Sequence, residues 1–187
     1  MRGILRYRKE PFVSQDSPIL ATCIREFRKT KQMADKCFAQ LGDDELHVRI
    51  NPQQNSIAVI IQHMAGNMLS RWTDFLTSDG EKPDRDRESE FEERRQSRAQ
   101  LMERWERGWA AVFIALEGLS DADLFRTVHI RNEPHTVFDA VNRQTAHYNL
   151  HLGQIQLIAK HLRGDTWKYL SIPPGGSKEF NARMGVQ

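Results

Sequence analysis

His147 and His151 stand four residues apart in a segment with helical periodicity. Both imidazoles therefore leave the same helix face, about one turn from each other. Two rings so placed can converge on one divalent ion at about 2.0–2.1 Å. Counted at about 100° per residue, His151 falls inside an apolar stripe and His147 on its flank. Ring nitrogens that face a core need partners, and a metal ion supplies one. Coincidence is the competing account, because the chain holds seven histidines and a four-residue spacing alone is a weak motif. The stretch His147-Tyr148-Asn149-Leu150-His151 has Tyr where the zincin pattern has its catalytic Glu, which excludes metalloprotease chemistry of that type.

A third ligand must come from another helix. His63 flanks the apolar stripe of the second helical segment as His147 flanks its own, and Asn67 and Asp74 continue that flank. A lone histidine there is an ordinary core residue; facing the pair, it completes an all-histidine site with open positions, the arrangement of catalytic rather than structural metal centres. Asn67, one turn below His63, and Arg143, one turn before His147, are candidates to orient a ligand or meet an anionic substrate group. No catalytic side chain is assigned. No carboxylate stands beside the histidines as a general base, since Asp74 lies almost three turns from His63. That gap suits metal activation of a thiol better than hydrolysis. His47, His129, His135 and His161 read as loop, hairpin and helix-end residues.

The elements that must position these residues follow from periodicity. The first helix spans about Ser17 to Leu41, with Leu20, Ile24, Phe27, Ala34, Phe38 and Leu41 on one face. The second begins at a cap near Asn55-Ser56 and runs to about Thr77, on a stripe of Ile57, Ile60, Ile61, Met64, Met68, Trp72 and Phe75. A polar, Gly- and Pro-containing loop follows it. The third starts near Phe91 and carries Leu101, Trp105, Val112, Leu116 and Leu119. Alternation over Thr127–Thr136, with a turn at Arg131-Asn132-Glu133-Pro134, predicts a short hairpin. The fourth helix spans about Val137 to Leu162 on Val137, Val141, Tyr148, Ile155, Ile158 and Leu162. From about Asp165 the chain holds Pro173-Pro174-Gly175-Gly176 and reads as an irregular tail. Four apolar stripes bury one another most simply in a helical bundle of one domain, residues 1–187.

Composition removes several function classes. Apolar residues are 39 % and charged residues 28 % of 187, an ordinary globular balance. A net charge of +2, with acids and bases mixed in Glu-Phe-Glu-Glu-Arg-Arg, argues against a nucleic-acid surface. No apolar run approaches the roughly 18 residues of a membrane helix. The basic amino terminus lacks a signal-peptide core, so the expected location is cytoplasmic. Cys23 and Cys37, in one helix about 20 Å apart along its axis, are beyond disulfide reach and are expected to be buried and reduced.

The sequence resembles the DinB-like (YfiT-like) superfamily, which includes bacillithiol-type S-transferases, and within it an uncharacterised branch. The likeness covers nearly the whole chain. It rests on Gln62-His63-Met64-Ala65-Gly66-Asn67 in the second helix, on His147-Tyr148-Asn149-Leu150-His151 in the fourth, and on their order with a helix and a hairpin between. Ser70-Arg71-Trp72-Thr73-Asp74-Phe75-Leu76 and Leu170-Ser171-Ile172-Pro173-Pro174-Gly175-Gly176-Ser177 point to the branch. The resemblance implies an all-α, up-down-down-up four-helix bundle with a short β-hairpin before the last helix. It implies zinc or nickel held by His63, His147 and His151, a small-molecule substrate such as a low-molecular-weight thiol, S-transferase or hydrolase chemistry, and a homodimer. A non-catalytic metal-binding or dimer-scaffold protein is the alternative. DNA binding, which the superfamily's name suggests, lacks a basic face.

Overall fold

A computed structural model describes residues 18–185 of the chain. The expected helix start at Ser17 and the basic amino-terminal stretch lie outside the described residues. The protein is mostly helical, with a two-stranded antiparallel hairpin. The elements are α1 (Pro18–Phe38), α2 (Ile57–Trp72), α3 (Arg98–Glu117), β1 (Thr127–Ile130), β2 (Glu133–Thr136), α4 (Val137–Arg163) and the short α5 (Ser177–Arg183). Among the described residues no helix is long and apolar enough to cross a membrane.

The apolar stripes do what their spacing requires. α1 packs on α4, α4 on α2, α2 on α3 and α3 back on α1, around one core. At its centre Phe27, Trp109 and Tyr148 meet with ring centroids 5.6–6.2 Å apart, and Trp72 adds its edge to Phe27. Tyr148 is fully buried, so its hydroxyl needs partners. It accepts from Trp72 Nε1 at 3.0 Å and donates to Asn67 Oδ1 at 3.1 Å. α2 and α3 approach closely because Gly108 has no side chain: a Cβ there would lie 3.1 Å from the Ala65 Cα.

Caps fix the helix starts. Ser56 Oγ accepts from Val59 N at 3.2 Å at the head of α2, and Thr136 forms a capping box with Asp139 at the head of α4.

Two expected boundaries are corrected. α2 stops at Trp72 rather than Thr77, because Asp74 adopts a left-handed backbone (φ 47°) and the chain turns. Phe75 continues the stripe only by folding back onto Trp72, at 4.8 Å. α3 begins at Arg98, not Phe91, behind a Ser97–Gln100 capping box; Phe91 closes a separate 3-10 turn, Glu88–Phe91. The hairpin has the expected span and pairs Thr127 with Thr136 and Ile130 with Glu133. Its turn is only Arg131-Asn132, both left-handed; Glu133 and Pro134, expected in the turn, are paired in β2. Asp79 holds it by accepting from the Arg131 and Asn132 amides at 2.9 and 2.8 Å.

The tail is partly ordered. Gln40 exchanges two hydrogen bonds with the Lys168 backbone, and α5 follows the Pro-Pro-Gly-Gly turn. Cys37 is buried, whereas Cys23 is only half-buried.

Candidate metal centre

α2 and α4 bring His63, His147 and His151 together. Nε2 of His147 lies 3.0 Å from Nε2 of His151 and 3.4 Å from Nε2 of His63. One ring nitrogen of each lies within 4.8 Å of the other two, so the three are positioned to hold a metal ion. Three nitrogens bound at about 2.0–2.1 Å to one tetrahedral ion stand about 3.3 Å from one another. The two short separations match that edge. His47, His129, His135 and His161 join no such cluster among the described residues.

Each half of the cluster has its own support. On α4 the helical repeat places both rings, and His151 Nδ1 lies 2.8 Å from Gln154 Oε1, one turn on. On α2, His63 Nδ1 lies 2.9 Å from Glu90 Oε2. Glu90 in turn accepts from Arg85 Nε and Nη2, both at 2.8 Å. Phe91 lies against the His63 ring, with centroids 4.6 Å apart. Arg85 also meets Glu81, which pairs with Arg71 at 2.9 Å and with Arg131 of the hairpin turn at 3.2 Å.

Burial decides the electrostatics. It pushes the His147 imidazole down to about 3, helped by the nearby His151, His63, Arg71 and Arg85. Burial likewise lowers His151, against the opposing hydrogen bond to Gln154. Both rings are neutral at pH 7, the form a metal ligand requires. Burial alone would raise the Glu90 carboxyl; the hydrogen bonds from His63 and Arg85 outweigh it and hold the group below its ordinary value. Glu90 is therefore an ionised, wholly engaged carboxylate.

Asn67 is buried one turn from His63, but its side-chain oxygen is taken by Tyr148. Arg143 lies on the exposed side of α4. Asp74 sits in the turn beyond α2, with its carbonyl accepting from Thr77 and Ser78. Glu90, Arg85 and Gln154 were not singled out from sequence. Gln154 is three residues from His151 and could have been found as a helical neighbour. Glu90 is 27 residues from its partner in an aperiodic loop, among 25 acids, and no local signal marks it.

A mostly helical protein with three convergent imidazoles is thus defined, a candidate three-histidine metal centre. The chain belongs to the family described as "Protein of unknown function (DUF1572)", whose model matches residues 14–176. Comparison with curated proteins gave no match.

Proposed function

We propose that this protein is a metal-dependent enzyme of the DinB-like superfamily, one domain whose four long helices form an up-down-down-up four-helix bundle. The reading is carried by the ring nitrogens of His63, His147 and His151, which lie close enough together to hold one metal ion. A bound ion supplies Lewis acidity, bringing the pKa of water from 15.7 to about 7 and favouring the thiolate of a thiol.

The rest falls to the chain. The three imidazoles hold the ion and leave room for a further ligand. Arg143, exposed one turn before His147, meets an anionic group of a small-molecule substrate. Asn67 acts from behind the site, holding α2 to α4 through Tyr148. Glu90 is occupied by Arg85 and His63 and is poorly suited to take a proton from water. The reaction we favour is therefore thiol transfer, in which the sulfur of a low-molecular-weight thiol attacks an electrophile. The proton goes to solvent and the leaving group departs with the bonding pair.

Purified protein is expected to hold about one equivalent of zinc or nickel per chain, and His151→Ala to lose it. Equal metal content in wild type and variant sinks the assignment. A thiol and an electrophile such as 1-chloro-2,4-dinitrobenzene should be consumed in a chelator-sensitive way; unchanged turnover in demetallated protein rejects the mechanism.

The full engagement of Glu90 also favours a second reading, a non-catalytic metal-binding or dimer-scaffold protein. Metal uptake without consumption of thiol by any electrophile, and a homodimer by light scattering that dissociates on metal removal, would decide for it.

A further inference from the structure

The connector between α2 and α3 is fixed to the histidine cluster more tightly than a connector requires. Gln62, the residue before His63, donates its amide to the carbonyls of Ser89, Glu90 and Glu92 at 3.0, 2.9 and 3.3 Å. Its oxygen accepts from Gln96 at 2.7 Å. The turn that carries Glu90 is thereby tied to the helix that carries His63.

Gly66 explains how the carboxylate gets there. A glycine inside a helix costs about 1 kcal/mol relative to alanine, so it needs a reason in this position. A Cβ at Gly66 would lie 2.2 Å from Glu90 Oε1 and 2.7 Å from its Cδ. The carboxylate lies across α2 in the space that the missing side chain leaves, one turn from His63.

Chemistry then fixes the proton. A carboxylate gripped at both oxygens by Arg85 can only accept, so His63 Nδ1 must donate to it. In the neutral ring that a metal ligand must be, the lone pair of His63 then falls on Nε2, the atom that faces His147. Phe91 on the ring face restricts its rotation.

We infer that Glu90, seated over Gly66 and locked by Arg85, is the positioning residue of the metal centre: it holds His63 with its proton on Nδ1 and its Nε2 lone pair aimed at the ion. This rests on the metal-centre reading above. It adds a carboxylate–histidine–metal relay, of the kind whose loss elsewhere weakens metal binding by about 10–100-fold.

The test has two arms on the full chain. In metal-free wild type, 15N–1H spectra of the imidazoles are expected to show His63 as the Nδ1–H tautomer. In competition against a chelator, Glu90→Ala is expected to bind Co2+ about 10–100-fold more weakly. Gly66→Ala should match it, because the methyl displaces the carboxylate. Glu90→Gln, whose amide oxygen can still accept from Nδ1–H, should recover part of the affinity, a rescue that a merely structural role does not give. A His63 proton on Nε2 overturns the proposal even if no variant folds, as does Co2+ affinity in Glu90→Ala within about twofold of wild type. Failure of wild type to take up Co2+ at all instead overturns the metal-centre reading, and is read separately from the tautomer.

Discussion

The two helices that meet at the histidine cluster reach it by different means. α4 carries two ligands one turn apart, on a backbone that is regular from Val137 to Arg163. His151 takes its partner, Gln154, from the next turn of the same helix. This half of the site is built from local geometry. α2 carries a single ligand, and what surrounds it is brought from elsewhere: Glu90, Phe91 and Arg85 come from the connector, and Arg85 is linked through Glu81 to the hairpin turn. A self-contained pair and a ligand braced by distant chain thus share one centre. The first should survive damage to its neighbours, and the second should not.

Metal titration of chelator-stripped variants tests this contrast with the largest expected effect. His63→Ala is expected to keep weak but measurable Ni2+ binding, because the i,i+4 pair on α4 stays intact. His147→Ala and His151→Ala should retain none at the same concentrations. Equal losses in all three variants break the distinction between the halves.

The connector can be loosened without touching a ligand. Gln62→Leu removes the side-chain amide that the Ser89, Glu90 and Glu92 carbonyls accept from. It is expected to cost up to about 3 kcal/mol. Hydrogen exchange should accelerate in residues 85–96 and stay unchanged in α4. Faster exchange across the whole molecule would mean that the connector is part of the common core.

Behind the site, Tyr148→Phe removes the hydroxyl shared by Trp72 and Asn67. A loss of about 1–2 kcal/mol in urea denaturation is expected, with metal capacity unchanged. Loss of metal here would show that Asn67 matters to the ligands themselves.

The smallest effect lies on α1, which supplies no ligand. Burial pushes the Cys37 thiol up to about 12, so almost no thiolate exists near pH 8. Burial, with Asp121 nearby, also raises half-buried Cys23, though less. A thiol reagent at pH 8 should label Cys23 slowly and Cys37 only after unfolding. Prompt labelling of Cys37 would show a loose core.

Much of the helical scaffold was legible from periodicity. Leu20, Phe27, Ala34 and Phe38 on α1, and Val137, Val141, Tyr148 and Ile155 on α4, are buried as their spacing requires. Boundaries failed where an apolar residue lay beyond a helix end. Phe75 and Phe91 both extend a stripe in sequence, yet one folds back onto Trp72 and the other stacks on His63 from a turn. The helix α3 starts instead behind the Ser97–Gln100 capping box, six residues beyond Phe91.

The sequence by itself determined that His147 and His151 share a face, because the helical repeat sets that relation whatever else the chain does. It also determined the buried faces of α1 and α4, whereas α2 is buried on nearly every side, well beyond its apolar stripe. Only the tertiary structure decided that His63 meets that pair, and that Glu90, Arg85 and Gly66 surround it. Contacts between helices depend on how whole apolar faces pack. The path of an aperiodic loop depends on hydrogen-bond partners that are far away in the chain. Neither leaves a repeat in the sequence that could be read in advance.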